Sequence, residues 1–237
     1  MEENPVNAGP NPAPLGLIML DSRFPRIPGD IGNAASFPFP LIKKTVSGAS
    51  PALVVRDLAK GLLQPFIEAA QQLEAEGAAG ITTSCGFLTL FQQELSAAVR
   101  VPVATSSLFQ VPMLQAMLPR EKQVGIITIA QSSLTMDHLA AAGISHQTPI
   151  GSTEGGQEFT RAILNNEPDL DVDLARKDNV DAARALVAQN PRVAAVVLEC
   201  TNMAPYAADM AEATGLPVYS VIDFLIWFQR GLRPRRY

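Results

Sequence analysis

Residues 80–105 read GITTSCGFLTLFQQELSAAVRVPVAT and residues 195–220 read AVVLECTNMAPYAADMAEATGLPVYS, and the two lie on one another without a gap. Cys85 falls on Cys200. Seventeen residues beyond each cysteine stands a proline, Pro102 and Pro217, followed by a valine that opens the next apolar run. Upstream, Leu15-Gly16-Leu17-Ile18 matches Val124-Gly125-Ile126-Ile127 in the same way. The glycine-to-cysteine separation is 69 residues in the first copy and 75 in the second, so the copies share a plan and differ in their loops.

Outward from the repeat, short apolar runs alternate with stretches at helical spacing. The first lobe begins with a strand over 15–20 and a helix over 57–76, where Leu58, Leu62, Phe66, Ala70 and Leu73 keep one face. Pro65 kinks that helix or begins its main part. A strand over 80–83, a helix over 88–99, a strand over 101–105 and a helix over 107–118, bent or delayed by Pro112, complete it. The second copy runs through a strand over 124–128, a helix over 132–142, a helix near 157–165 and a helix that Asp178 caps and that ends at Gln189. A strand over 194–198, a helix over 203–213, a strand over 217–221 and a helix over 223–231 close the chain. Strand–helix alternation implies parallel sheets with right-handed crossovers. The fold class is α/β: two pseudo-symmetric lobes, each a parallel sheet flanked by helices, with a cleft between them. Lobe 1 takes 15–105 plus 220–237 and lobe 2 takes 106–219. Residues 1–14, with four prolines, read as a disordered tail.

Of 237 residues, 47% are hydrophobic and 17% charged, at a formal net charge of -5, which fits a globular chain with a well-filled core. Eighteen Lys and Arg against 23 Asp and Glu offer no polybasic field for nucleic acid. The longest apolar runs are too short to span a bilayer, and the first residues lack a basic start with an apolar core; the reading is a cytoplasmic protein with no membrane partner. Two cysteines make no disulfide framework. Their role is packing or chemistry.

In both copies the cysteine follows a buried strand and precedes a helix, which is the carboxyl end of a parallel strand. Ligands bind at that edge in open α/β sheets, and helix N-termini there favour an anion or a thiolate. Two lobes facing each other bring Cys85 and Cys200 to one cleft. His138 and His146 have no metal-ligand spacing, and the chain lacks the glycine-rich fingerprints of dinucleotide and nucleotide sites, so neither metal nor cofactor is expected. A bilobed ligand-binding protein shares the plan. The paired thiols favour an enzyme.

At these residues, Thr82-Thr83-Ser84-Cys85-Gly86-Phe87 and Leu198-Glu199-Cys200-Thr201-Asn202, the chain resembles the aspartate/glutamate racemase superfamily. The group is cofactor-independent and includes amino-acid and hydantoin racemases, maleate isomerases, arylmalonate decarboxylases and an algal dimethylsulfoniopropionate lyase. The resemblance covers 15–233. It implies catalysis by Cys85 and Cys200 as opposed acid and base, and a homodimer. It also implies a small carboxylate substrate held by Asp21, Ser22, Arg23, Gly86, Phe87, Thr128, Thr201 and Asn202. Gly86-Phe87 stands where Asn-Thr is common, Asn202 replaces a frequent His, and residues 23–33 replace a glycine-rich turn. These departures imply a ligand less polar than glutamate, with Arg23 or Arg26 available to a carboxylate.

A two-thiol site implies racemisation or epimerisation at a carbon next to a carboxylate, because a thiol pKa near neutrality lets one thiol and one thiolate coexist on opposite faces. The alternative is isomerisation, decarboxylation or β-elimination through the same cysteines.

Overall fold

The computed structural model describes residues 12–234. Two four-stranded sheets, every pairing parallel, make up the frame. The first holds β1 (Leu15–Leu20), β2 (Leu41–Val46), β3 (Gly80–Thr83) and β4 (Val103–Ala104) in the order β2-β1-β3-β4. The second holds β5 (Gln123–Thr128), β6 (Ile150–Ser152), β7 (Val193–Leu198) and β8 (Val218–Tyr219) in the order β6-β5-β7-β8. The orders are the same once β5 to β8 are set on β1 to β4. Duplication reaches single hydrogen bonds: Ile81 N–H donates to Pro102 O and Val196 N–H to Pro217 O, each at 2.9 Å.

Nine α-helices flank the sheets: α1 (Pro51–Arg56), α2 (Leu63–Ala75), α3 (Gln92–Ala98), α4 (Gln110–Met117), α5 (Met136–Ala141), α6 (Phe159–Leu164), α7 (Val172–Gln189), α8 (Ala207–Thr214) and α9 (Val221–Leu232), as counted among the described residues. The two repeat glycines mark where a helix lies hard against the central strand. A Cβ on Gly16 would stand 3.1 Å from Leu73 Cβ of α2, and one on Gly125 would stand 2.9 Å from Leu186 Cδ2 of α7. Apolar β1 residues serve both faces of their sheet, as a strand's period of two requires. Ile18 and Leu20 join the core that continues into the second sheet, while Leu15 and Leu17 meet Val221, Phe224 and Leu225 of α9 together with Phe37 and Phe39.

Several elements differ from the sequence reading. The helix expected over 57–76 is broken: Leu58 and Ala59 take left-handed φ of 54° and 51°, and α2 begins only at Leu63. Pro65 therefore sits in its first turn, where a missing N–H costs nothing. Asp178 caps a helix, but not its own. It lies inside α7, whose N-cap is Asp171, and its carboxylate accepts N–H bonds from Gln157, Glu158 and Phe159 at the start of α6 at 3.0, 2.7 and 2.9 Å. Edge strands β2 and β6 and helix α1 were not anticipated. Residues 1–11 of the expected tail lie outside the described residues. Residues 13 and 14 are tied down: Ala13 is fully buried with its carbonyl accepting from Gln229 Nε2, and Pro14 O accepts from Ala79 N–H.

Candidate active site

The end of β3 and the end of β7 are held by matching bonds: Ser84 N–H donates to Ile18 O and Glu199 N–H to Ile127 O, both at 2.8 Å. Each bond turns the chain out of its sheet just before a cysteine. The two turns then meet. Thr201 Oγ1 donates to Ser84 O at 2.7 Å, across 117 residues of sequence, so the first turn is tied to the second. Gly86 is a glycine because of this approach: a Cβ there would stand 2.3 Å from Glu199 Oε1 and 2.4 Å from the Glu199 carbonyl oxygen.

Cys85 and Cys200, both free and buried, line one narrow pocket whose cavity is about 20 Å³ in this structure. Of the residues named from the sequence, Gly86, Phe87, Thr201 and Asn202 share that wall with the cysteines. Thr128 stands behind it, fully buried, donating to Glu199 Oε2 at 2.7 Å. Asp21, Ser22 and Arg23 are not on the wall. Beyond Leu20 the chain swings outward: Asp21 is exposed with Oδ2 accepting from Gly48 N–H, Arg23 is exposed, and Ser22 Oγ accepts from Arg26 Nη2 at 2.7 Å. Phe24 takes the wall position instead, with the Arg26 guanidinium 4.3 Å over its ring.

The second turn is wired to the loop over 23–33. Asn202 Nδ2 donates to Asp30 Oδ2 at 2.6 Å, Asp30 Oδ1 meets Arg26 Nη1 at 3.1 Å, and the Cys200 thiol donates to Asn202 Oδ1 at 3.6 Å. Asp30 is itself buried. Neither Asp30 nor Glu199 was singled out from the sequence. Glu199 carries a readable signal, since a glutamate closing a strand of Val, Val and Leu is buried at a cost unless something uses it.

Burial and the neighbouring Glu199 push the Cys85 thiol up to about 12, against the N–H groups of Phe87 and Leu88 and the Arg26 charge, which pull it down. Cys200 is raised well above the usual thiol range by burial, by Glu199, by Cys85 and by Asp30, against the Asn202 N–H. Burial and Glu199 thus favour the protonated form of both thiols, while the Arg26 charge reaches Cys85 and the Asp30 charge Cys200. Burial pushes Glu199 up to about 8, against the Thr128 hydroxyl and the Ile129 N–H. Apart from Ser84 the remaining walls are apolar, Val55, Ile129 and Ile163 among them, and among the described residues no Lys, Arg or His lines the pocket.

A family model described as Asp/Glu/Hydantoin racemase matches residues 65–228. The chain belongs to that family. As an Asp/Glu/hydantoin racemase family member it is an enzyme-superfamily protein. It is 31% identical over 226 residues to a dimethylsulfoniopropionate lyase of Durusdinium sp. clade D, covering 92% of this chain and 75% of that one. It is 30% identical over 218 residues to dimethylsulfoniopropionate lyase 7 of Emiliania huxleyi (strain CCMP1516), covering 88% of this chain and 64% of that one. In fold, this family member matches unliganded arylmalonate decarboxylase at TM-score 0.62 and 16% identity, over 95% and 94% of the two chains. It matches allantoin racemase from Pseudomonas fluorescens at TM-score 0.63 and 12% identity, over 94% and 99%. Among the described residues no helix is long and apolar enough to cross a membrane.

Proposed function

We propose that this protein is a cofactor-independent lyase that eliminates a cationic leaving group from a small carboxylate, with dimethylsulfoniopropionate as its substrate class. One observation carries the reading. Among the described residues the pocket presents two thiols, a carboxyl and the polar pair Thr201 and Asn202 between apolar walls and no cationic side chain, which suits a substrate that brings its own positive charge. A sulfonium entering this pocket also draws the neighbouring acids toward their ionised forms, which the empty pocket suppresses. The named relatives support the same choice.

In this mechanism the Cys85 thiolate takes the Cα proton, the C–H electron pair becomes the Cα–Cβ double bond, and the Cβ–S pair leaves with dimethyl sulfide. Acrylate and one proton are the other products. The Thr201 backbone N–H and the second hydrogen of the Asn202 side-chain amide are the donors this mechanism uses for the substrate carboxylate, whose charge grows as the proton leaves. A cytoplasmic dimer is part of the same proposal, read by cell fractionation and sizing chromatography.

A second reading, racemisation or epimerisation next to a carboxylate, draws on the supply of one thiol by each lobe, the arrangement that proton exchange on opposite faces requires. Purified protein with dimethylsulfoniopropionate, followed by headspace gas chromatography, separates the two. Dimethyl sulfide and acrylate in equal amounts are expected. No dimethyl sulfide, together with inversion and solvent deuterium uptake in an amino acid or hydantoin panel, would establish the second reading instead.

A further inference from the structure

Between the two cysteine turns sits an ionisable group that the elimination as written does not use. Glu199 is fully buried and immediately precedes Cys200, and its carboxyl reaches the first lobe's turn at Gly86, next to Cys85. Oε2 is held by Thr128, while Oε1 has no hydrogen-bond partner and the side chain lines the pocket. The groups around it are the thiols of Cys85 and Cys200, the Thr128 hydroxyl and the Ile129 N–H, with Arg26 acting on Cys85 and Asp30 on Cys200 beyond them. An unpaired carboxyl in such a place is costly to keep.

We infer that Glu199 is the proton-holding residue of the thiol pair, taking the proton of a thiol so that the sulfur faces the substrate as thiolate. The inference rests on the elimination reading for its substrate and on the pocket geometry for its proton. The thiol S–H bond breaks with its electron pair kept on sulfur, an O–H bond forms on Glu199, and the negative charge moves from carboxylate to sulfur. The thiolate then takes the Cα proton and becomes a thiol again as the Cβ–S bond breaks. The proton left on Glu199 is the one the elimination releases, and its loss to water resets the site. Glu199 is the pocket acid whose titration, pushed up to about 8, lies closest to neutrality.

A shared proton has a signature that needs no substrate. Below the Glu199 titration, thiolate rises with pH; above it, carboxylate and thiol compete for one proton and the thiolate fraction is fixed by their difference in affinity. The test is site-resolved alkylation of Cys85 and Cys200 by iodoacetamide between pH 6 and 10, read by mass spectrometry. In the wild type the logarithm of the rate is expected to rise to near pH 8 and then flatten. Glu199→Gln should lose the break and rise about tenfold per pH unit throughout, ending about 100-fold above the flattened profile at pH 10. Thr128→Val keeps the carboxyl but removes the hydroxyl that favours its charged form, so its break should move to higher pH. It also carries the test if Glu199→Gln does not fold. An unchanged break in Glu199→Gln or Thr128→Val, or a wild-type profile without one, overturns the inference. Dimethyl sulfide release is measured on the same proteins. A break without dimethyl sulfide retires the lyase reading alone.

Discussion

The two cysteine turns descend from one plan and now do different work. Cys85 is followed by Gly86 and Phe87, apolar and shaped for contact, with backbone N–H groups and the Arg26 charge favouring its thiolate. Cys200 is followed by Thr201 and Asn202, polar and bonded across the molecule to Ser84 and Asp30, and its thiol donates to Asn202 Oδ1. The residue before each cysteine has diverged furthest. Ser84 accepts from Leu20 N–H and belongs to the backbone framework, whereas Glu199 puts a carboxyl into the pocket. A symmetric frame thus holds an asymmetric site, which fits removal of a proton from one face of a substrate better than exchange between two.

The largest test of that asymmetry is the pair Cys85→Ala and Cys200→Ala. Loss of the base is expected to lower kcat/KM for dimethyl sulfide release by about 10³-fold or more, while loss of Cys200 costs about tenfold to a hundredfold. Equal collapse of both variants would return the site to symmetry. Next comes Gly86→Ala, whose new methyl meets two Glu199 oxygens at a distance no Cβ tolerates. It should cost about 2–3 kcal/mol in urea unfolding, since the obstruction includes backbone. Its repeat counterpart, Thr201, is buried and bonds across to Ser84 O, so both turns meet here, and wild-type stability in Gly86→Ala would show that they do not press together.

Glu199 gives the comparison a pH axis. In the unfolded chain its carboxyl ionises near 4.5, but folded it keeps its proton up to about 8, so the folded state binds the extra proton and loses stability as pH rises through that window. The melting temperature of Glu199→Gln minus that of the wild type should therefore grow between pH 5 and pH 8. A constant difference would mean that the carboxyl is charged throughout. The smallest effect belongs to Thr201→Val, which removes the bond to Ser84 O and should cost about 1 kcal/mol in the same unfolding measurement.

The architecture was legible because it is repetitive and apolar. Strands such as β3 and β7 are buried runs, the cysteines stand just past their ends, and the repeat assigns both sheets one plan. What escaped had weak or misleading local signals. β2 reads Leu-Ile-Lys-Lys-Thr-Val and is half-exposed at a sheet edge, while β6 is three residues containing a glycine. Asp178 carries the composition of a cap but serves the start of α6, twenty residues away, and no local pattern contains that partner. At the site, residues whose place is fixed by the strand ends, Cys85 to Phe87 and Cys200 to Asn202, came to the pocket. Asp21, Ser22 and Arg23 did not, because their position depends on how a loop leaves β1, and Phe24 fills the wall in their stead. Asp30 and Glu199 matter through partners in the other copy, which a one-dimensional reading does not pair.

The contact between Gly86 and Glu199 also constrains the two halves unequally. A side chain at 86 would meet the Glu199 carbonyl oxygen as well as its carboxyl, so position 86 admits none whatever residue stands at 199. Position 199 carries no such limit. The bare backbone of one half is thus the room in which the other half holds its buried acid.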